Sequence, residues 1–232
     1  MQKLTDHIRG AAFDLDGTLV DSAPDLAAAL NHTLASLGAS ALPEPRVRAL
    51  IGHGVERLVS RGIAESLGGR AVNETELPRA LAIFRAFYGR NLFRRSRLYS
   101  GVVEALEGLA RAGIDLCCIT NKDAAFAEPL LEAAGLRQLL RFSLSPRDPA
   151  ERKPDAHMLL AACERLGSPP SRLLYVGDST IDLLAARAAG CPVARVTYGY
   201  DSQATPAGLE PDWRVDNLTE LLTVSLREPT RS

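Results

Sequence analysis

The chain of 232 residues is long enough for one substantial hydrophobic core, or for a core that carries a smaller inserted unit. Its 27 basic and 28 acidic side chains leave a formal net charge of −1, which gives no reason to expect nucleic acid or an anionic membrane as a partner. No apolar run approaches the roughly 20 residues that span a bilayer. Residues 1–10 lack the apolar centre of a signal peptide, so we expect a cytoplasmic protein.

The first half of the chain predicts one strand followed by a long helical stretch. Residues 8–13 form a short apolar run, which is typical of a buried strand. Ser22 then has the position of a helix N-cap, with Asp25 three residues further on as its capping-box partner. From there to about Arg97, apolar residues recur at helical spacing and no strand signal occurs. This pattern predicts a small helical bundle inserted after the first strand.

The second half alternates short apolar runs with helical stretches. The predicted strands are residues 114–119, 141–145, 173–176, 193–197 and 213–215. Such alternation predicts a parallel sheet with helices on both faces. In an open parallel sheet, ligands bind at the carboxyl ends of the strands, so the residues directly after each strand are candidates for a functional site.

Acidic, hydroxyl and lysine side chains follow the predicted strands at this edge. The candidates are Asp14, Asp16 and Gly17 after the first strand, Thr120, Asn121 and Lys122 after the second, Lys153 before a helix, and Asp178 and Asp182 after a later strand. Several carboxylates in one crevice repel one another unless a cation lies between them, and hard divalent cations prefer oxygen ligands. The anion that fits beside Mg²⁺, a hydroxyl, a lysine and backbone N–H groups is phosphate. The set therefore predicts Mg²⁺ as cofactor and a small phosphorylated metabolite as substrate.

The residue types suggest a division of labour in phosphoryl transfer. Asp14 is the candidate nucleophile, which would form an aspartyl-phosphate and split one difficult step into two. Asp16 could protonate the leaving oxygen and later take a proton from water. Thr120 and Lys153 would stabilise the transferring oxygens in the transition state. Asp178 would complete the metal site.

Three further residues support this interpretation. Asp182 lies one helical turn past Asp178, where it could bind the metal through water or orient Asp178 or Lys153. Gly17 would let the backbone approach the phosphate closely. Only three of the 27 basic residues are lysine, and Lys153 is one of them. In so arginine-rich a chain, we expect Lys153 to occupy a place where a compact ammonium cannot be replaced by a guanidinium.

Four ordered motifs resemble those of the haloacid dehalogenase superfamily. They are Asp14-Leu15-Asp16-Gly17-Thr18, Thr120-Asn121-Lys122, Lys153-Pro154, and Gly177-Asp178-Ser179-Thr180-Ile181-Asp182. The resemblance implies an α/β fold, with a Rossmann-like parallel sheet core over residues 1–19 and 96–232 and an all-helical cap domain over residues 20–95. It also implies that Asp14, the backbone carbonyl of Asp16, and Asp178 hold Mg²⁺, and that the Thr120-Asn121-Lys122 triplet holds phosphate.

Within the superfamily, the chain is most similar to bacterial phosphoglycolate phosphatases. The similar segments are residues 8–10, 21–26, 51–54, 120–122 and 197–200. This likeness implies hydrolysis of 2-phosphoglycolate to glycolate and phosphate. The chain departs from the family pattern at Ser100, at Asp123 and over residues 145–148, which weakens the substrate assignment but touches no proposed catalytic group.

Other activities remain open at this point. One is a phosphatase for another small sugar or nucleotide phosphate, such as N-acetylmuramic acid 6-phosphate, and another is a phosphomutase of the same fold. Related mutases usually carry Val where Thr18 stands, which disfavours the mutase. A hydrolytic dehalogenase would need neither Mg²⁺ nor Asp16, and the complete motifs argue against a non-catalytic binding protein. The oligomeric state, monomer or homodimer, is left open.

The inserted helices and the late loops supply weaker candidates. The segment Gly52-His53-Gly54 is either a loop that closes over the substrate or a simple turn between helices. Arg48 and His53 are candidates to bind the carboxylate of a small acid. Lys122 either binds the leaving side of the substrate or lies on the surface, and Tyr200 is expected to pack rather than to belong to the site.

Overall fold

The computed structural model describes residues 3–69, 73, 75–201 and 205–225. The strands of this part are β1 (Gly10–Phe13), β2 (Val20–Asp21), β3 (Arg97–Leu98), β4 (Asp115–Ile119), β5 (Phe142–Leu144), β6 (Leu173–Gly177), β7 (Val193–Val196) and β8 (Trp213–Val215). Six of them form a parallel sheet in the order β5-β4-β1-β6-β7-β8. The crossovers between parallel neighbours require helices, and these cover the sheet.

The helices alternate with the strands throughout the second half. They are α1 (Leu4–His7), α2 (Ala23–Ser36), α3 (Glu44–Arg48), α4 (Val55–Ser66), α5 (Glu76–Arg90), α6 (Val102–Arg111), α7 (Ala124–Ala133), α8 (His157–Leu166) and α9 (Thr180–Ala189). Four short 3₁₀ turns lie at Arg137–Leu139, Pro149–Glu151, Pro170–Arg172 and Leu218–Leu222. Among the residues with a described position, no helix has the length and apolar character to cross a membrane.

Successive residues of the central strands pack on opposite faces of the sheet. In β4, Cys117 packs in the hydrophobic cluster that contains α8 and α9, whereas Cys118 packs in the cluster that contains α6 and α7. Ala12 and Phe13 of β1 divide in the same way, as the two-residue period of a strand requires. Both faces are therefore buried under helices, and the predicted parallel sheet with helices on both faces is confirmed.

The register of the sheet determines where the site lies. β1 pairs with β4 so that Phe13 is opposite Cys118, and it pairs with β6 so that Phe13 is opposite Val176. All three strands run in the same direction and end at the same level. Asp14, directly after β1, therefore lies next to the ends of both neighbouring strands.

The helices α2 to α5, here called the inserted helices, have a hydrophobic cluster of their own. Leu30, Val59, Ile63 and Phe84 are among its fully or almost fully buried members. The closeness of α2 and α4 depends on Gly62, because a Cβ there would lie 2.7 Å from a methyl carbon of Leu30. A separate apolar core of this kind agrees with the helical bundle that the sequence predicts after the first strand.

Two short strands join the inserted helices to the sheet. β2 and β3 pair antiparallel, with Val20 opposite Leu98 and Asp21 opposite Arg97. Neither strand was predicted from the sequence; β2 precedes the predicted helical stretch, and β3 begins at Arg97, where that stretch ends. Strands of two residues are too short to show an alternating pattern, so only the tertiary structure reveals them.

The start of α2 also differs from the prediction. Ser22 is at the N-cap position, but its side chain makes no capping hydrogen bond. Its hydroxyl donates to Asp16 Oδ1 instead. The carboxylate of Asp25 accepts from the backbone N–H groups of Arg95 and Ser96, each at 2.9 Å. Ser22 thus binds a residue six positions earlier and Asp25 binds a segment 70 residues later, so the predicted capping box is wrong.

Candidate active site

Side chains from four separate segments meet at the carboxyl edge of the sheet. Asp14 follows β1, Thr120 follows β4, Asp178 follows β6, and Lys153 reaches in from the loop before α8. All four residues are at least nine-tenths buried. The structure therefore brings these sequence-predicted residues together, although their catalytic roles stay predictions.

Lys153 is the centre of the polar network. Its Nζ lies 2.7 Å from Asp14 Oδ1, 2.7 Å from Asp182 Oδ1 and 2.8 Å from the hydroxyl of Tyr175. The carbonyl of Ile119 is a fourth neighbour, at 3.3 Å. Burial alone would lower the pKa of Lys153, but the charges of Asp14 and Asp182 outweigh burial and raise it. The ammonium is therefore charged and fixed in one position.

Asp182 holds Lys153 in place. Its Oδ1 accepts from Lys153 and from the Tyr175 hydroxyl, and its Oδ2 accepts from the N–H and the hydroxyl of Ser179. Burial acts to raise the pKa of Asp182, but Lys153 and the Ser179 hydrogen bonds lower it overall. With both oxygens engaged, Asp182 orients Lys153, which is one of the roles that the sequence left open for it.

Asp14 and Asp178 are less well compensated. Burial raises the pKa of Asp14 to about 7; Lys153 opposes this shift and the negative charge of Asp182 adds to it. Burial, together with the charges of Asp182 and Asp14, raises the pKa of Asp178 well above its ordinary value. Two buried carboxylates close to one another without a sufficient positive charge form the kind of site that a cation stabilises.

The arrangement of these acids fits a divalent cation. One carboxylate oxygen from each of Asp14, Asp178 and Asp182 lies within 4.8 Å of the others. Within the described part of the chain, Asp14 Oδ2 and Asp178 Oδ1 accept no hydrogen bond, whereas both oxygens of Asp182 are occupied. Asp14 and Asp178 thus offer the free oxygens that a hard cation such as Mg²⁺ prefers.

Asp16 lies at the side of this cluster rather than within it. Both of its oxygens are 3.1 Å from Lys122 Nζ, and Oδ1 also accepts from the Ser22 hydroxyl. The expected metal ligand was its backbone carbonyl, which stays a prediction. Lys122 has a side chain that is only 2% exposed, so the interpretation that it lies on the surface is wrong.

Thr120 and Asn121 differ in how their side chains are used. Thr120 Oγ1 accepts from the backbone N–H of Lys122 at 3.2 Å, which leaves its own proton free for a ligand. The amide of Asn121 binds the backbone N–H and carbonyl of Lys153 and also the carbonyl of Gly52, at 2.8 to 3.1 Å. The Asn121 side chain thus connects two loops, and the predicted contact of this residue with phosphate stays untested.

Gly17 is required by the close packing of the loop after β1 against Asp178. Its φ is +92°, and a Cβ would lie 2.5 Å from Asp178 Oδ2. Any other residue would be strained in this conformation and would also displace the Asp178 carboxylate. Gly17 thus preserves the position of Asp178, and its predicted contact with phosphate stays untested.

The inserted helices and the sheet enclose a cleft of about 440 Å³ above Asp14 and Asp178. Gly52, His53 and Arg48 line this cleft. Burial, with Arg57 and Arg61 nearby, lowers the pKa of His53, so that its imidazole is neutral near pH 7.

Arg48 is paired with acidic side chains of the protein itself. Its guanidinium makes two bonds to Asp21, at 2.8 and 3.1 Å, and a third to Glu44 at 3.0 Å. It also lies over the ring of Tyr200, at 5.0 Å from the ring centroid. Arg48 thus holds α3 against the strand β2, and its predicted role in binding the substrate stays untested.

Three residues at the site were not foreseen. Tyr175 binds both Lys153 and Asp182, Ser22 binds Asp16, and Tyr200 donates its backbone N–H to Asp178 Oδ2 at 2.6 Å. The hydroxyl of Tyr200 also accepts from the N–H groups of Ser22 and Ala23. For Tyr175 there was a signal, namely a hydroxyl within an otherwise aliphatic buried strand. Ser22 and Tyr200 had none, because the Ser22–Asp16 contact depends on how the turn after β1 folds and the contacts of Tyr200 join segments that are far apart in the chain.

Comparisons with known proteins agree with this geometry. A sequence model of the haloacid dehalogenase-like hydrolases matches residues 11–196. The chain is 39% identical over 214 residues to a phosphoglycolate phosphatase of Haemophilus influenzae, covering 91% of this chain and 96% of the relative. It is 41% identical over 213 residues to one of Nitrosospira multiformis, covering 92% and 93%.

A solved structure shows the same fold. The crystal structure described as that of a predicted phosphoglycolate phosphatase from Haemophilus somnus superposes with a TM-score of 0.87 at 35% identity. The match covers 93% of this chain and 97% of the other. From the buried acids at the sheet edge, the family match and these relatives, we conclude that the chain belongs to the haloacid dehalogenase-like hydrolases and is a phosphoric monoester hydrolase.

Proposed function

We propose that this phosphatase hydrolyses 2-phosphoglycolate to glycolate and phosphate with Mg²⁺, through an aspartyl-phosphate on Asp14. The observation that carries the mechanism is the asymmetry of the Asp14 carboxylate. Lys153 fixes Oδ1 at 2.7 Å, while Oδ2 accepts no hydrogen bond within the described part of the chain. One oxygen is thus held in position and the other is free to attack phosphorus.

In the first step, an oxygen of Asp14 forms a bond to phosphorus and the ester P–O bond breaks. Asp16 donates a proton to the departing oxygen, so that glycolate leaves as an alcohol rather than an alkoxide. The Thr120 hydroxyl and the Lys153 ammonium stabilise the negative charge on the transferring oxygens. The product of this step is a phosphate ester of the Asp14 carboxylate.

In the second step, water attacks the phosphorus of the aspartyl-phosphate. Asp16, now ionised, accepts a proton from this water as the P–O bond to Asp14 breaks. Inorganic phosphate leaves and the Asp14 carboxylate is restored. The pair Lys122 and Ser22 keeps Asp16 in one orientation for both proton transfers.

Mg²⁺, when bound by Asp14 and Asp178, would neutralise the repulsion between the carboxylates and the phosphate dianion. The carbonyl of Asp16 is a further proposed ligand. We also propose that residues 20–95 form a cap domain over this core, with β2 and β3 as the connection. The cytoplasmic location of the protein stays a prediction.

The substrate assignment rests on the relatives. Two curated phosphoglycolate phosphatases are 39% and 41% identical to this chain over more than nine-tenths of its length. A match that spans both the sheet and the inserted helices favours the same class of substrate.

The experiment measures phosphate release from a panel of small phosphomonoesters that includes 2-phosphoglycolate, N-acetylmuramic acid 6-phosphate and p-nitrophenyl phosphate. We expect the highest kcat/KM for 2-phosphoglycolate. Protein quenched with acid during turnover of ³²P-labelled substrate should carry label, and Asp14→Asn should carry none. A faster reaction with a sugar phosphate would refute the substrate, and labelled Asp14→Asn would refute the nucleophile.

A further inference from the structure

An inner cavity lies beneath the inserted helices, next to Asp16. On the side of these helices, four apolar side chains line it: Leu26, Ile51, Val55 and Leu58. Its volume of about 40 Å³ leaves space for only a few water molecules. This apolar wall offers no side-chain partners for the hydroxyl groups of a sugar, and the polar side chains of the lining lie on the side of the sheet: Asp14, Asp16, Thr120, Asn121 and Lys122. The cavity therefore suits a leaving group of very few atoms.

Lys122 is, within the described part of the chain, the one cationic side chain that lines this cavity. An ammonium carries three N–H donors. Asp16 accepts with both oxygens at 3.1 Å, so at least one donor of Lys122 remains for a ligand. The adjacent Lys153 differs in this respect, since four acceptors surround its Nζ.

The position of Lys122 is built by the sheet and the inserted helices together. Its backbone belongs to the loop after β4, while its Nζ lies 4.8 Å from the ring centroid of Tyr88 in α5. Tyr88 is fully buried, and its hydroxyl has no hydrogen-bond partner within the described residues. Phe84 and Phe126 pack against its ring. The aromatic face thus supports the ammonium without using up its hydrogen-bond donors.

We propose that Lys122 is the specificity-determining residue of this phosphatase and binds the carboxylate of the two-carbon leaving group. This inference rests on the proposed function, since it assumes Asp14 as nucleophile and Asp16 as the proton donor. In 2-phosphoglycolate, one methylene separates the ester oxygen from the carboxylate. With Asp16 on the ester oxygen, Lys122, bonded to Asp16, is within reach of that carboxylate.

The other cations near the cleft are less suitable. Arg48 is already bound to Asp21 and Glu44. Arg61 lines the outer cleft and is exposed to solvent, where a pairing with a carboxylate contributes little. Lys122 is nearly inaccessible to solvent, so a bond from its ammonium to a carboxylate is much stronger.

The test compares two esters that differ only at the far end of the leaving group. These are 2-phosphoglycolate and 2-hydroxyethyl phosphate, in which CH₂OH replaces the carboxylate. We expect wild-type kcat/KM to favour 2-phosphoglycolate strongly. In Lys122→Met, this preference should fall about 10- to 100-fold, which corresponds to the loss of one hydrogen bond to a charged group. Because both esters need Asp16, any effect of the substitution on proton transfer cancels in the ratio.

Arg61→Met is the matched control. Its ratio of kcat/KM for 2-phosphoglycolate to kcat/KM for 2-hydroxyethyl phosphate should equal that of the wild type. A ratio that is unchanged in Lys122→Met, or that falls equally in Arg61→Met, would overturn the proposal. A wild-type ratio near one would overturn it whether or not the variants fold. If the wild type hydrolyses p-nitrophenyl phosphate but neither two-carbon ester, the proposed substrate itself fails. Hydrolysis of 2-phosphoglycolate with an unchanged ratio in Lys122→Met refutes only the role of Lys122.

Discussion

At the scale of single residues, the site depends on two buried lysines with different surroundings. Lys153 Nζ has Asp14, Asp182, Tyr175 and the Ile119 carbonyl as close neighbours, so its donors are fully used. Lys122 Nζ has Asp16 and the face of an aromatic ring. The first ammonium is therefore suited to hold Asp14 in a fixed position, and the second retains capacity to bind a ligand.

Replacing Lys153 by arginine tests whether shape matters beyond charge. The guanidinium is planar and wider than the ammonium, and it cannot point donors at acceptors that surround one atom at 2.7 to 3.3 Å. We expect Lys153→Arg to lower kcat/KM at least ~10-fold, about 1.4 kcal/mol of transition-state stabilisation. Steady-state kinetics with 2-phosphoglycolate measures this effect.

Lys3→Arg is the control for this substitution. Lys3 is exposed and precedes α1, far from the carboxyl edge of the sheet. The kcat/KM of Lys3→Arg should therefore match that of the wild type. If Lys153→Arg retained wild-type kcat/KM, the lysine would supply only positive charge, and the argument from its rarity in the chain would fail.

Ser22→Ala tests the positioning of Asp16. The Ser22 hydroxyl donates to Asp16 Oδ1, and without it Lys122 is the one partner left to the carboxyl among the residues that the structure describes. We expect the rate of phosphoryl transfer from 2-phosphoglycolate to fall about 10-fold, but less with p-nitrophenyl phosphate, whose leaving group needs little protonation. Single-turnover rates for the two substrates measure the difference.

Ser36→Ala serves as the matched control for Ser22→Ala. Ser36 is in the same helix, but its hydroxyl donates to the carbonyl of His32 on an exposed turn. Both rates should equal those of the wild type. Equal losses on the two substrates in Ser22→Ala would show that the serine acts only through the stability of the fold.

The residues that could be predicted from the sequence are those whose surroundings are local. Asp14 and Asp178 each follow directly after a buried strand, so the topology alone places them at the sheet edge. The contacts of Ser22 and Arg48 depend on how the turn after β1 and the inserted helices fold, which no periodic pattern in the chain shows. For Ser22 the sequence favoured a local role in a helix cap, which was wrong, and for Arg48 it did not reveal the pairing with Asp21.

At the scale of elements, the loop after β4 connects the two halves of the site. Asn121 in this loop bonds to the backbone of Lys153 on one side and to the Gly52 carbonyl, between α3 and α4, on the other. Its amide thus connects the backbone of Lys153 to the inserted helices. The Gly52-His53-Gly54 segment is held at the cleft by this contact.

Asn121→Asp should disrupt this connection at nearly constant volume. The substitution replaces an N–H₂ donor with an oxygen that faces two carbonyls, which leaves buried acceptors unpaired and costs about 1–3 kcal/mol. We expect lower stability in urea unfolding together with a several-fold increase in KM for 2-phosphoglycolate.

Asn31→Asp provides the comparison for Asn121→Asp. Asn31 also bridges a backbone, with bonds to the N–H and the carbonyl of Leu42, but it does so within the inserted helices and away from the cleft. This variant should lose stability while KM stays unchanged. An unchanged KM in Asn121→Asp as well would mean that the bridge has no effect on substrate binding.

The elements could be predicted where they are long enough to show a period. The apolar runs that became β4, β6, β7 and β8 were located to within a few residues, because buried strands and amphipathic helices leave distinct patterns. β2 and β3 were missed because two residues cannot alternate, and their pairing depends on contacts almost 80 residues apart in the chain.

At the scale of the whole molecule, the packing of the sheet forces acidic groups together. The parallel register aligns the ends of β1 and β6, and the surrounding structure buries Asp14 and Asp178 almost completely. A buried carboxylate that keeps its charge opposes folding unless a cation compensates it. The acidic groups that the proposed activity needs therefore lower the stability of the fold, and a bound metal would restore that stability.

Metal binding should consequently stabilise the fold as well as support activity. A cation at about 100 times its Kd contributes about 2.7 kcal/mol. For a chain of this size, each kcal/mol shifts Tm by about 2–4 °C, so we expect a rise of roughly 5–10 °C with saturating Mg²⁺ over EDTA. Activity should disappear in EDTA and return with Mg²⁺.

Asp178→Asn separates the metal site from the rest of the molecule. The amide oxygen can still accept from the Tyr200 N–H, while the negative charge is removed. The raised pKa of Asp178 means that the folded protein favours its neutral form, so at pH 7 the neutral amide avoids the cost of a buried charge. We expect Tm in EDTA at least equal to that of the wild type and little further increase with Mg²⁺. A wild-type Mg²⁺ shift in this variant would place the cation elsewhere, and a much lower Tm in EDTA would show that the carboxylate stabilises the apo fold.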